Sequence, residues 1–349
     1  MKRRNAAIAV LLIAATFLPA CSSSTPDCTR PEIVCVGLVT SVGKVDDHAF
    51  NQSAWEGVQH AQAEGLVRLT RYIETVNAKD YDENIAVFAD AGYDIIVTVG
   101  SALGQATTVA AEEYPQVYFI GVDQFQEAGA EKPNLVGLTF PEDQAGFLAG
   151  ALAAQMTATG KVGAVLGTDA YPPTWRYGEG FRVGTKYINP EVEVILAYHN
   201  DANFDKASFD PDWGATTAYA LIDEGVDVLF GGSGTTGDGA LVAAAQRGVY
   251  AIGAEMDQYF LLPEAAPLLL SSVVKLVGSG TYALIGLTRD AQTGTGTFPA
   301  GNYSGECGYA PFHALDSRVP AEVKARMEEI NRDLLEGKLQ TDVPPTKPE

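Results

Sequence analysis

The sequence predicts an α/β protein of two similar lobes, each an open, mainly parallel sheet with crossover helices. Three observations predict it: short β-branched runs alternate with helical patterns from Ile33 onward, the alternation runs in two series, and the two series resemble each other. With 349 residues, 46% of them hydrophobic, the chain has length for two domains and enough apolar content to bury both cores.

The first residues read as an address. Lys2, Arg3 and Arg4 precede the apolar run from Ala6 to Pro19, a charged n-region and an h-region of secretory length that is too short to span a bilayer as a helix. Leu18-Pro19-Ala20-Cys21 follows, and it resembles the lipobox of bacterial lipoproteins, in which the cysteine is acylated and becomes the new N-terminus. Cys21 is therefore the expected lipidation site, 1–20 a signal peptide and 21–32 a lipidated linker.

In the first series the expected strands are Cys35–Thr40, Val67–Glu74, Asp94–Gly100 and Val117–Asp123, separated by helices near Phe50–Ala63, Tyr81–Ala91 and Ala102–Glu113. Phe50, Ala54, Val58 and Ala61 recur at helical spacing. The second series has strands at Lys161–Gly167, Val192–Tyr198, Asp227–Gly232 and Val249–Glu255, with helices near Asp143–Met156, Tyr177–Ile188, Trp213–Asp223 and Asp238–Gln246. The stretch from Asp94 to Phe125 lies beside the stretch from Asp227 to Phe260 as a loose copy, pairing Ser101 with Ser233 and Asp123 with Glu255. Each lobe thus offers a hydroxyl and a carboxylate at the carboxyl ends of neighbouring strands, where open parallel sheets bind ligands. Two such lobes facing each other enclose a cleft that can close.

Crossings between lobes are expected near Asn134–Phe140 and Leu268–Val273. Lobe 1 is then 33–137 with 274–340, and lobe 2 is 138–273. Pro320 at a helix start, the stripe Val323, Met327, Ile330 and Leu334, and Gly337 just past the end mark a C-terminal helix, placed in lobe 1. The residues from Gln340 onward carry three prolines and no pattern, so 341–349 read as a frayed tail.

Charge and motifs exclude several functions. The 23 Lys and Arg against 44 Asp and Glu give a formal charge of −21 and no basic stripe for a nucleic-acid backbone. Cys28, Cys35 and Cys307 form no C-x-x-C pair and the four histidines are scattered, so no metal site is expected. Cys35 reads as a buried small hydrophobe, and Cys28 with Cys307 as a candidate disulfide in an oxidising compartment. Gly232-Ser233-Gly234-Thr235-Thr236-Gly237 has the dinucleotide spacing, with Glu255 placed for ribose hydroxyls. Its counterpart at Gly100 lacks the pattern, so the reading adopted is a glycine-rich turn lining the cleft, and no cofactor is expected. Without a G-x-S-x-G elbow, an S-x-x-K pair or H-E-x-x-H, no enzyme is expected. Asp46 suits a cap on the helix at Phe50, whereas Asp47 suits a carboxylate facing the cleft. Phe50 and one of Phe204, Phe209 and Trp213, which sit in or beside a polar loop, could sandwich a flat ligand.

The segment VGLVTSVGKVDDHAFNQSAWEGVQHA, from Val36 to Ala61, resembles the opening of the basic membrane protein family of lipoproteins, the substrate-binding components of nucleoside ABC importers. The likeness continues through YPQVYFIGVD, NLVGLTFPEDQAGFLAGALAA, GFRVGTKYINPEVEV, GVYAIGAEMDQ, LLSSVVKLV and VPAEVKARMEEINRDLLEGKL. It implies the architecture of type I periplasmic binding proteins, with two lobes and a hinge. It also implies that Asp47 and Asn51 contact the ligand beside a stacking Phe50, that Asp123 binds a base edge, that Phe209 is the second ring and that Lys275 lies near a ribose. Glu255 stands where the family has Asp. The implied function is a lipid-anchored receptor on the extracytoplasmic face of the cell membrane, passing a nucleoside, a purine foremost, to an ABC permease. The alternatives are an exported enzyme using a nucleoside or NAD, and a ligand-sensing regulator without a transport role.

Overall fold

The computed structural model describes Cys28 and residues 33–200, 204–344, 346 and 347. The expected signal peptide, the expected lipidation site Cys21 and most of the expected linker lie outside the described residues.

The first lobe begins with β1 (Cys35–Val42), α1 (Phe50–Ala63), β2 (Leu69–Thr75), α2 (Tyr81–Asp90), β3 (Ile95–Val99), α3 (Gly104–Glu113), β4 (Tyr118–Val122) and β5 (Leu135–Thr139). Strands such as β3, with all five residues buried, have apolar side chains on both faces because helices cover both sides. The second lobe follows with α4 (Glu142–Met156), β6 (Lys161–Leu166), α5 (Pro172–Ile188), β7 (Glu193–Tyr198), α6 (Phe204–Ser208), α7 (Pro211–Asp223), β8 (Val228–Gly231), α8 (Gly234–Gln246), β9 (Tyr250–Glu255), α9 (Gln258–Leu261) and β10 (Leu269–Lys275). The remaining elements are α10 (Val277–Gln292), β11 (Gly301–Ser304), β12 (Cys307–Tyr309) and α11 (Ala321–Leu335).

The strand orders are β11-β5-β4-β3-β1-β2 and β12-β10-β9-β8-β6-β7. These are one topology used twice, with β6 to β10 repeating β1 to β5. The first sheet is parallel throughout, and in the second only β12 runs antiparallel. The two-lobed α/β architecture is therefore as the sequence predicts, with six strands in each sheet where four were read. Both sheets reverse order beside their first strands, so loops at the carboxyl ends of β1, β3, β6 and β8 line a crevice.

The path between lobes differs from the expectation. β5 and β10 are sheet strands, and the crossings fall after them, at Phe140-Pro141 and at Leu276. After α10 packs on α1 and β11 extends the first sheet, the chain crosses a third time. β12 pairs with β10, Lys275 opposite Cys307, and Met327 and Ile330 of α11 join the apolar cluster shared with α4. Residues 307–340 therefore belong to lobe 2. A three-residue strand carries no periodicity to reveal this, and an apolar helix stripe does not say which lobe it covers.

The tail is also tied down: Thr341 is buried and its hydroxyl donates to Asp143 Oδ2 at 2.5 Å, while Lys347 pairs with Asp169 at 2.6 Å. Cys28 bridges Cys35, with Cα atoms 5.7 Å apart, and Cys307 is a buried free thiol. The expected Cys28–Cys307 bond is excluded because β12 is a strand of the second sheet, whereas Cys35 opens β1 of the first.

Helices α4 and α5 touch backbone to backbone. A Cβ on Gly150 would lie 2.0 Å from the Phe181 carbonyl oxygen, and one on Gly184 would lie 2.1 Å from that of Phe147. Only glycine permits this approach, which sets the N-terminal turns of both helices beside the cleft.

Candidate ligand-binding cleft

A cleft of about 590 Å³ opens between the lobes. Lobe 1 supplies Phe50 at the first turn of α1, Ser101 after β3 and Asp123 after β4. Lobe 2 supplies Tyr171, Thr174 and Tyr177 around the start of α5, together with Phe209, Ser233 and Glu255. Lys275, the last residue of β10, stands at the crossing between them.

The strand ends carrying this chemistry have an uncommon backbone. Asp123, Ser233 and Glu255 have φ of 57°, 71° and 69°. For residues with a Cβ the left-handed region costs about 1–2 kcal/mol, and such cost concentrates where a site demands the geometry. Asp123 and Glu255 occupy equivalent places in the two sheets, so the same turn delivers one carboxylate from each lobe.

Between these carboxylates lies a buried ammonium. Lys275 Nζ is 2.8 Å from Asp123 Oδ1, 3.4 Å from Glu142 Oε1 and 3.8 Å from Glu255 Oε1, with its side chain 2% exposed. It also lies 5.8 Å from the Phe50 ring centre and 5.6 Å from that of Phe140. Burial opposes the charge on Lys275, but the surrounding carboxylates outweigh it and hold its pKa well above the ordinary lysine value. Burial pushes the Glu255 carboxyl above the usual range, with Lys275 opposing. Glu142 is raised for the same reason and is likewise opposed by Lys275. The arrangement provides more acceptors than donors, and so suits a ligand that presents hydroxyl or amino hydrogens.

Of the residues read from sequence, Phe50, Ser101, Asp123, Phe209, Ser233, Glu255 and Lys275 come together here. Phe209 is 64% exposed and lines the same cavity as Phe50, from the other lobe. Gly232 instead lines a smaller adjoining cavity of about 150 Å³ with Phe209, Asp238 and Glu255. A Cβ on Gly237 would meet Gly232 N at 2.6 Å, so the glycine spacing serves a tight strand-to-helix turn. Trp213 stacks on His199 at 4.2 Å in the second lobe, away from the cleft, and the Phe204 side chain lies outside the described residues.

Asp47 and Asn51 are not among the residues that line this cavity. Asp47 Oδ1 accepts from the backbone N–H of Ala49 and Gln52, and its Oδ2 accepts from that of Asn51, at 2.8–3.3 Å. It is the cap of α1, the role expected of Asp46; the chain turns between them, so one residue's offset decides which carboxylate reaches the orphan N–H groups. Asn51 is 1% exposed; its Oδ1 accepts from Ser41 N and Oγ, and its Nδ2 donates to the Lys44 carbonyl. Both residues shape the β1–α1 loop that presents Phe50.

Sequence reasoning missed Glu142, Tyr171, Thr174 and Tyr177. Pro172 and Pro173 mark a helix start and could have flagged the α5 turn, but Glu142 looks like any acidic residue in a first turn. Among the described residues no cluster of His, Cys, Asp and Glu could hold a metal ion, and no helix is long and apolar enough to cross a membrane.

Two duplicated α/β lobes, three crossing segments and a polar, aromatic-flanked cleft between them define a bilobal ligand receptor. The chain belongs to the Bmp family, described as ABC transporter substrate-binding protein PnrA-like, whose match covers residues 34–300. It is thus an ABC transporter substrate-binding protein. It is 30% identical to the CD4+ T-cell-stimulating antigen of Listeria monocytogenes serovar 1/2a over 100% of both chains. It is 27% identical to the ABC transporter nucleoside-binding protein BmpA of Lactococcus lactis subsp. cremoris, over 97% of this chain and 99% of that one. Among solved structures, an ABC transporter solute-binding protein from Conexibacter woesei shares the fold with a TM-score of 0.67 at 22% identity, covering 88% of this chain and 98% of that one. One from Aeropyrum pernix K1 does so with 0.62 at 24%, covering 88% and 92%.

Proposed function

We propose that the protein is a lipid-anchored extracytoplasmic receptor that captures a nucleoside between its lobes and delivers it to an ABC permease without chemical change. The observation that carries this reading is that Phe50 and Phe209, one from each lobe, line one cavity with Asp123, Glu255 and Lys275. Two rings suit the faces of a planar base, each adding about 0.5–1.5 kcal/mol beyond area burial. The carboxylates suit the N–H edge of a base and the hydroxyls of a ribose. The name of the Lactococcus relative agrees with this chemistry. Glu255, one methylene longer than the Asp the family carries there, keeps bidentate acceptance and moves the sugar.

Isothermal titration of the full-length chain with purine and pyrimidine nucleosides, with chromatography of the recovered ligand, tests the reading. A stable complex with unaltered ligand supports it, and turnover refutes it. The anchor is tested by labelled palmitate: incorporation into the wild type and none into Cys21→Ala is expected, because the thioether needs that sulfur. An unlabelled wild type refutes the anchor.

A further inference from the structure

Glu142 is the first residue of α4, immediately after the Phe140-Pro141 crossing, and it is buried without being one of the residues that line the cleft. Lys275 ends β10 at the Leu276 crossing. Their contact at 3.4 Å joins two of the three segments that connect the lobes. Asp123 and Glu255, by contrast, belong to different lobes, and Lys275 touches the first at 2.8 Å while standing 3.8 Å from the second. Three carboxylates share one ammonium, so a group that draws the ammonium from outside the cleft leaves the more distant of the other two, Glu255, more available to a ligand.

We infer that Glu142 is a positioning residue of the binding site: it draws the Lys275 ammonium to the hinge side, where Lys275 takes one oxygen of Asp123 and stands off Glu255, leaving Glu255 to accept from the ligand although Glu142 does not touch the ligand itself. This rests on the cleft being the ligand site. Without the Glu142 charge, Lys275 moves from its 3.8 Å distance onto Glu255 and withdraws that carboxylate from the ligand. The other groups facing this centre are Arg176 and Tyr177 of α5, Asp143 beside Glu142 and the Cys307 thiol of β12. Burial raises the Glu142 pKa above the usual carboxylate range, so acid removes its charge before that of an ordinary carboxyl. A Gln there copies the protonated state.

The test compares the full-length wild type, Glu142→Gln and Glu142→Asp by isothermal titration with adenosine, guanosine, inosine, uridine and cytidine between pH 5 and 8. At pH 8, Glu142→Gln is expected to bind the preferred nucleoside about tenfold more weakly, and Glu142→Asp, which keeps the charge, within about threefold of wild type. As pH falls, the ratio of wild-type to Glu142→Gln affinity is expected to shrink toward one, because both then lack the charge. Equal affinities at pH 8, a ratio independent of pH, or an Asp variant as weak as the Gln variant overturns the inference. Native mass spectrometry of the chains as isolated makes the same comparison for whatever molecule they retain. Failure of every nucleoside beside a retained ligand of another kind overturns the proposed ligand and not the role of Glu142. A wild type that binds nothing by either route overturns both.

Discussion

Replacing Lys275 with methionine keeps the length and much of the volume of the side chain while deleting the charge that three carboxylates share. The ammonium is 2% exposed, with partners at 2.8, 3.4 and 3.8 Å. Removing one member of a buried ion pair typically costs about 3–5 kcal/mol, because the remaining charge stays desolvated. Here the remaining charges also repel one another, so a loss of about 4 kcal/mol is expected at pH 8. At a urea dependence of about 3 kcal/mol per molar, the unfolding midpoint then falls by about 1.3 M. The sign with pH follows from the raised carboxyls. Glu142 and Glu255 have folded-state pKa values above their unfolded ones, and without Lys275 they rise further. Such groups favour the folded state below the unfolded pKa and lose that contribution as pH rises through the folded one. The deficit of the variant therefore grows from acid toward neutral pH. Urea unfolding followed by fluorescence at pH 5 and pH 8 measures it. A deficit below about 1 kcal/mol at pH 8, or one equal at both pH values, would show that the ammonium does not hold these carboxylates together.

Glu255→Ala should weaken a nucleoside far more than the corresponding free base, the lost hydrogen bond leaving a ligand donor unpaired at about 1–3 kcal/mol; equal losses in titrations of both would mean that Glu255 does not read a sugar. Phe50→Ala should weaken a purine nucleoside by about 1–3 kcal/mol, the loss of one stacking face, and a pyrimidine by less; an unchanged purine affinity would remove Phe50 from the ligand. Gly150→Ala drives a methyl toward the Phe181 carbonyl at 2.0 Å, where neither backbone can yield alone. It should destabilise by about 2–3 kcal/mol in urea, and a midpoint equal to wild type would contradict the close α4–α5 packing. Burial raises Asp238 from 3.8 to about 6, with Gln258 opposing, a displacement worth at most about 3 kcal/mol. Its contribution is present in acid and lost as pH passes about 6, so Asp238→Asn should gain stability relative to wild type between pH 5 and pH 8; a constant difference would refute this.

The alternation of strands and helices was legible because burial on both sheet faces leaves continuous β-branched runs, and because the duplication displays the pattern twice. Asp123 and Glu255 were legible for the same reason, as copies at equivalent strand ends. The edge strands were not: β12 has three residues and β11 four, less than periodicity needs. The third crossing was hidden with them, and the Cys28–Cys35 disulfide was missed because Cys35 was read only as an apolar strand residue. Asp47 and Asn51 sit in a segment dense with polar residues, and only coordinates separate those that fold the loop from those that face the cleft. Glu142 was invisible for a simpler reason: its partner lies on a strand far along the chain, and a lone acidic residue at a helix start already has an ordinary explanation.

The threefold crossing bears on the order in which the protein can be made. The first sheet gains its outer strand only when Gly301–Ser304 pairs with Val136–Thr139, and the second only when Cys307–Tyr309 reaches Val273–Lys275. The α1 face of lobe 1 also waits for α10, and the α4 face of lobe 2 for α11. Neither lobe is a contiguous stretch that could finish folding while the ribosome is still supplying the rest, and pairings over such separations form slowly. A chain built in this way cannot close either lobe until its last segment has been made.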